Sequence, residues 1–274
     1  IHLNWKNNPD KSQNLKSNFE YPYLFGSPFG IGANFDLQKQ DSSFVRSDVI
    51  FELIYHNPQF RIGLFNQIEN STTISTLPIP GFRDFSKNTI GATFQYRPFM
   101  PDNIDYYHPM VSLSGGVFNY RADTLDDETQ KIANRKYMVK YEHTIDLLKY
   151  LHLNNSIQFQ GISSSIGLAR NEFIYFGGLQ TVRGFYELEL EGREIWIIRN
   201  ELEFKPVDLL SLKLLYDYSN FFNEQHNETH SIGFGFGLIN NNSQLDIIVA
   251  NGILNDNPFA ITNTKVHIGF KSNF

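Results

Sequence analysis

The segment Ser231–Ile239 alternates with a period of two: Ile232, Phe234, Phe236 and Leu238 point one way, and Ser231, Gly233, Gly235 and Gly237 the other. Only a strand sends successive side chains to opposite faces. The pattern recurs along the chain. In Leu212–Ser219, Leu212, Leu214, Tyr216 and Tyr218 alternate with Lys213, Leu215, Asp217 and Ser219. In Ile195–Phe204, Trp196, Ile198, Leu202 and Phe204 oppose Arg199, Glu201 and Glu203. At the end, Val266, Ile268, Phe270 and Phe274 oppose Lys265, His267, Gly269, Lys271 and Asn273. Further candidates are Ile1–Lys6, Leu15–Leu24, Gly30–Gln40, Asp48–His56, Gln59–Gln67, Thr89–Arg97, Met110–Arg121, Arg135–Asp146, Leu151–Ser163 and Gln244–Asn251. This makes about 14 strands, many of roughly the 9–11 residues a tilted membrane strand needs.

Aromatic residues make up 15% of the chain, with 25 Phe and 14 Tyr, yet the mean hydropathy is only -0.33. Apolar residues are therefore interleaved with polar ones rather than gathered. The longest apolar runs, such as Ile195-Trp196-Ile197-Ile198, fall far short of the roughly 18 residues of a helical span. A membrane crossing by this chain uses strands. In lipid every backbone polar group must be paired, and a closed barrel is the sheet that achieves this. The expected fold is an all-β transmembrane antiparallel β-barrel. A soluble sandwich would use shorter strands, and a propeller would carry a repeat of fixed period, which is absent. Without cysteine there is neither a disulfide framework nor a thiolate metal site. The net charge of -6 argues against a nucleic-acid partner. No signal peptide precedes Ile1, so a mature form or a fragment is expected.

The connections alternate in length, as they do when short periplasmic turns face long outer loops. Backwards from Phe274, Asn255–Asn263 is long, Asn240–Ser243 short, Asn220–His230 long, Pro206–Leu209 short, Ser164–Arg193 very long, Leu147–Tyr150 short and Ala122–Asn134 long. Pro98–Pro109 breaks the rule; Asn70–Lys87 is long and Asn57–Pro58 short. This places the C-terminus in the periplasm. The connection Ser164–Arg193 is too long for a structureless link. It carries Phe173, Tyr175, Phe176 and Phe185 with Gly177, Gly178 and Gly184. Aromatics need a surface to pack on and glycines permit tight turns, so this loop is expected to fold back into the barrel lumen.

The run Phe176-Gly177-Gly178-Leu179-Gln180-Thr181-Val182-Arg183-Gly184-Phe185 resembles the VRGF signature of the outer-membrane assembly-factor superfamily, which includes the BamA insertase and the two-partner-secretion translocators. Arg199-Asn200-Glu201-Leu202-Glu203 and Tyr216-Asp217-Tyr218 resemble the two strands that follow in that family, and Tyr21-Pro22-Tyr23-Leu24-Phe25-Gly26 its early strand ends. The resemblance implies that Val182, Arg183, Gly184 and Phe185 form the tip of the sixth outer loop inside the lumen. It also implies that Glu201 and Asp217 are the counter-charges of Arg183. Independently, both acids fall on the face opposite the apolar residues, where a buried guanidinium would need carboxylates. The family barrel has 16 strands and is preceded by POTRA domains. Residues 1–274 are accordingly expected to be one barrel domain lacking the POTRA domains and the first two strands.

Other constellations are weaker. His226 and His230, near Glu224 and Glu228, read as solvated loop residues rather than metal ligands. Ser163-Ser164-Ser165 lacks a His or acid pattern, and Asp123, Asp126, Asp127 and Glu128 read as a solvated acidic loop. Neither catalytic residues nor a metal or cofactor are expected. The implied function is a non-enzymatic outer-membrane insertase or translocase. Its partners would be outer-membrane lipids, client polypeptides and accessory lipoproteins. Val266, Ile268, Phe270 and Phe274 would form the C-terminal strand signal and one side of a seam. The alternatives are a passive porin-like channel or solute transporter, and the barrel of a self-translocating patatin-type secreted protein.

Overall fold

The computed structural model describes residues 2–7, 12–40, 43–74, 80–98, 107–121, 134–164, 167–240, 243–255 and 257–272. Phe274 and the acidic cluster Asp123–Glu128 lie outside them. The described chain is almost entirely strand. In order the strands are β1 (His2–Asn7), β2 (Gln13–Tyr21), β3 (Phe29–Gln40), β4 (Phe44–His56), β5 (Phe60–Thr73), β6 (Phe85–Tyr96), β7 (Tyr107–Arg121), β8 (Asn134–Leu148) and β9 (Leu151–Ser163). Then come β10 (Ile174–Phe176), β11 (Leu190–Gly192), β12 (Glu194–Val207), β13 (Leu210–Phe222), β14 (His226–Asn240), β15 (Ser243–Leu254) and β16 (Thr264–Ser272). All but β10 and β11 form one 14-stranded sheet in chain order, from β1 at one end to β16 at the other. Each strand expected from alternation has a counterpart in that sheet.

Two compact units are present. One comprises Ile1–Tyr96, Ser112–Met138 and Gly161–Phe173, the other Arg97–Val111, Val139–Gln160 and Ile174–Phe274. In the second unit β12 to β16 are antiparallel and in register: Arg199 opposes Asp217, Asp217 opposes Ser231, and Ser231 opposes Gly252. Period two then sorts the side chains onto two faces. Leu212, Leu214, Ile232, Phe234, Val266, Ile268 and Phe270 are all exposed on one face. Glu203, Lys213, Asp217, Ser219, Ser231 and His267 are buried on the other. A soluble protein hides the apolar face, whereas a lipid-facing sheet presents it.

The connection Asn220–His230 departs from the expected long loop. The β13–β14 ladder continues to the pair Phe222–His226 and leaves only 223–225 as a turn. Asn223 closes that turn, its Oδ1 accepting from the backbone N–H groups of Glu224 (2.6 Å) and Gln225 (3.1 Å). Such a side-chain turn is what Asn supplies at a hairpin, and the flanking Phe221 (4% exposed) extends the alternation into the stretch read as loop. His226 and His230 therefore sit on β14: His226 packs on Phe222, and His230 meets the Tyr216 hydroxyl at 2.9 Å. Among the described residues no group of three or more His, Asp or Glu is placed to hold a metal ion. The long connection after β9 carries the hairpin β10–β11, which its glycine-rich sequence does not announce.

Candidate functional site

The loop from Ile174 to Arg193 begins and ends in this hairpin, so that its middle is presented as a compact tip. Gly177 (φ +114°) and Gly178 (φ +89°) make the first bend, in a backbone region that side chains strongly disfavour. The bend is held by Gly177 N–H donating to Thr181 Oγ1 at 2.7 Å and Gly178 N–H donating to the Val182 carbonyl at 3.0 Å. The Leu179 N–H donates to Glu187 Oε1 at 3.0 Å and ties the outgoing arm to the returning one. Gly184 (φ +93°) makes the second bend; a Cβ there would lie 2.7 Å from both the Gly252 nitrogen and the Ser231 hydroxyl. The tip thus rests directly on backbone of the wall, at a place where β14 presents Ser231 and β15 presents Gly252.

Arg183 projects between these bends and is 1% exposed. Its Nε and Nη2 donate to the two oxygens of Asp217, at 2.8 and 2.6 Å, a bidentate fork on a fully buried carboxylate. The Arg183 backbone N–H donates to the same Asp217 at 2.9 Å, and Nη1 donates to Glu201. The register explains the fit. Asp217 opposes Arg199, two residues along β12 from Glu201, so both acids lie on one face on neighbouring strands. Burial alone would depress the basicity of Arg183, but the hydrogen bonds and charges of Asp217 and Glu201 outweigh it and raise its pKa. Lys213 keeps the balance from turning acidic, at 2.9 Å from Asp246 and 3.7 Å from Glu201.

Several contacts lie beyond the residues singled out from sequence. Arg199 donates through Nη1 to the Gln180 carbonyl at 3.0 Å and through Nη2 to the Leu179 carbonyl at 3.3 Å. Gly184 N–H donates to Nε2 of His267 on β16 at 3.2 Å. Phe176, Val182, Phe185 and Leu190 of the loop pack with Ile195, Ile197 and Phe221 of the wall in one buried cluster. Leu179 rests on a second apolar patch of Leu215, Ile248 and Ala250. Beside the anchor lies a polar cavity of about 590 Å³, lined among others by Arg97, Glu142, His143, Asn154, Arg199 and Glu201. Val266, Ile268 and Phe270 stand apart from this cluster, exposed on the opposite face of β16.

Residues 88–239 match the family model of the haemolysin secretion/activation proteins ShlB/FhaC/HecB. The chain belongs to this family. The matched stretch runs from within β6 to near the end of β14 and includes the loop and both counter-charges. Among solved structures, CdiB from Escherichia coli matches with a TM-score of 0.64 at 12% identity, over 95% of this chain and 53% of that one. BamA from Haemophilus ducreyi lacking POTRA domains 1-3 matches with a TM-score of 0.62 at 11% identity, over 98% and 63%. CdiB from Acinetobacter baumannii gives 0.57 at 12%, over 98% and 58%. Identities this low establish the fold. The chain spans between 53% and 63% of the length of these structures. Among curated proteins none matches. As a ShlB/FhaC/HecB family member the chain is an outer-membrane β-barrel protein. The exposed apolar face of β12 to β16 is then the lipid face, and the face carrying the Arg183 loop is the interior one.

Proposed function

We propose that the chain is the translocator barrel through which a client polypeptide is secreted across the outer membrane. In this reading the Arg183 loop is the device that sets how open the barrel interior is. The observation that carries it is the buried fork of Arg183 on Asp217, with Glu201 as second acid, inside the stretch that matches the secretion family. An arginine held by two carboxylates and by its own backbone N–H fixes the loop tip at one height along the wall. Nothing in this role requires a bond to be made or broken, so the reading is non-enzymatic. The edge strand β16, with Val266, Ile268 and Phe270 toward lipid, is proposed as one side of the barrel seam, where unpaired backbone groups can template another strand. The test is secretion by cells carrying Arg183→Ala in the full-length protein, with the outer-membrane level of the barrel measured alongside. Undiminished client in the medium at equal barrel level would remove Arg183 from the mechanism.

A further inference from the structure

The incoming arm of the long connection, 167–173, is also held by ions, and with the charges reversed. Here the loop supplies the acid. Glu172 is 1% exposed and accepts from Arg83 Nε at 2.9 Å and Nη2 at 2.6 Å; Lys87 Nζ lies 3.1 Å from its other oxygen. The Ala169 N–H adds a fourth contact at 2.7 Å. Asn171, also fully buried, donates to the Ser71 hydroxyl at 2.8 Å and to the Arg83 carbonyl at 2.7 Å. Arg46 Nη1 donates to the carbonyls of Asn171 (3.3 Å) and Phe173 (3.2 Å). Arg46 belongs to β4, Ser71 to β5 and Lys87 to β6, while Arg83 precedes β6. The whole arrangement lies within the first unit. A buried carboxylate costs several kcal/mol unless matched, and a turn of seven residues does not collect three cations from adjacent elements merely to close a connection.

We infer that Glu172 is a second positioning residue of the loop: through Arg83 and Lys87 it fixes the incoming arm, as Arg183 fixes the tip through Asp217 and Glu201. The loop is therefore pinned at two points by ion pairs of opposite sense. Releasing the tip alone leaves the incoming arm docked. A client that clears the loop must break both. This rests on the proposed secretion role only for its functional consequence; the docking itself has its own readout.

The experiment is limited trypsin cleavage at Arg170, which is exposed on this arm, in detergent-solubilised full-length protein. Glu172→Gln keeps the shape and removes the charge, and is expected to speed cleavage after Arg170 about tenfold, since cleavage tracks the population of the undocked arm. Arg83→Gln should do the same. The charge-keeping Glu172→Asp should stay nearer the wild-type rate than Glu172→Gln, although Gln matches the shape better, a difference that a merely space-filling Glu172 would not give. Heat-modifiable migration on gels reports whether each barrel is folded. Unchanged cleavage in folded Glu172→Gln and Arg83→Gln proteins, or faster cleavage in Glu172→Asp than in Glu172→Gln, would overturn the inference. Faster cleavage with unaltered secretion would keep the anchor and overturn instead the role given to the loop in transport.

Discussion

Gly184 donates its backbone N–H to His267 across 3.2 Å, so the loop tip is tied to the last strand of the sheet as well as to β13. Both groups are buried, and the partner cannot be replaced by water without opening the contact. His267→Ala should leave the Gly184 N–H buried without its acceptor, at a cost of about 1–3 kcal/mol to tip docking. Amide hydrogen exchange at Gly184 reads this directly. Exchange as slow as in the wild type would mean that the histidine contributes nothing to holding the tip.

The anchor proper can be tested by a double-mutant cycle on Arg183 and Asp217. Removing one partner of a buried pair costs about 3–5 kcal/mol because the other charge is stranded. Asp217→Asn and Arg183→Ala should therefore each lower the thermal midpoint of gel-shift unfolding, and the double variant should lose much less than the sum. Glu201→Gln should cost less than Asp217→Asn. Glu201 is 16% exposed where Asp217 is fully buried, and it has Lys213 as a second cation. Strictly additive losses would contradict a direct pair.

The strand pattern was legible because one face meets lipid and the other does not. Each of the fourteen strands of the sheet had its alternating segment. The VRGF run and both acids were legible by resemblance, supported by their position on the non-apolar face. Ile195-Trp196-Ile197-Ile198 breaks the alternation, and Leu215, Ile248 and Ala250 are apolar on the polar face. These are the places where the loop lies on the wall. A strand apolar on both sides is covered on both sides, and that signal was present in the sequence without its partner being identifiable. His267, Arg199 and the Glu172 arm could not be found from spacing, because each acts across the sheet or over a long stretch of chain. The polar residues around the turn 223–225 read as loop, yet the ladder runs on to Phe222–His226 and Asn223 closes a turn there.

Gly184→Ala probes the bend instead of the charge. Its φ of +93° is outside the range open to alanine, and the added Cβ would press on the Gly252 nitrogen and Ser231 hydroxyl at 2.7 Å. Backbone strain of this kind costs about 1–3 kcal/mol, and the Gly252 nitrogen that the Cβ meets is backbone held in the β14–β15 ladder. The variant should assemble as a folded barrel yet expose the tip to protease after Arg183. Protection equal to that of the wild type would show that the wall can move.

The lipid face gives the complementary test. Ile268 is 70% exposed on the apolar side of β16, one residue from buried His267 on the other side. A lysine on the lipid face of a barrel costs about 2–4 kcal/mol at the membrane midplane and far less near the surface. Ile268→Lys and Phe270→Lys should therefore reduce the folded, heat-modifiable barrel in outer-membrane fractions, whereas Ile268→Leu should leave it unchanged. The lysine variants should also fail before any transport step, since β16 must be paired with β15 and settled in lipid before the Arg183 loop has an interior to occupy. Normal barrel levels with lysine at both positions would mean that this face does not meet lipid, and the assignment of the two faces would have to be reversed.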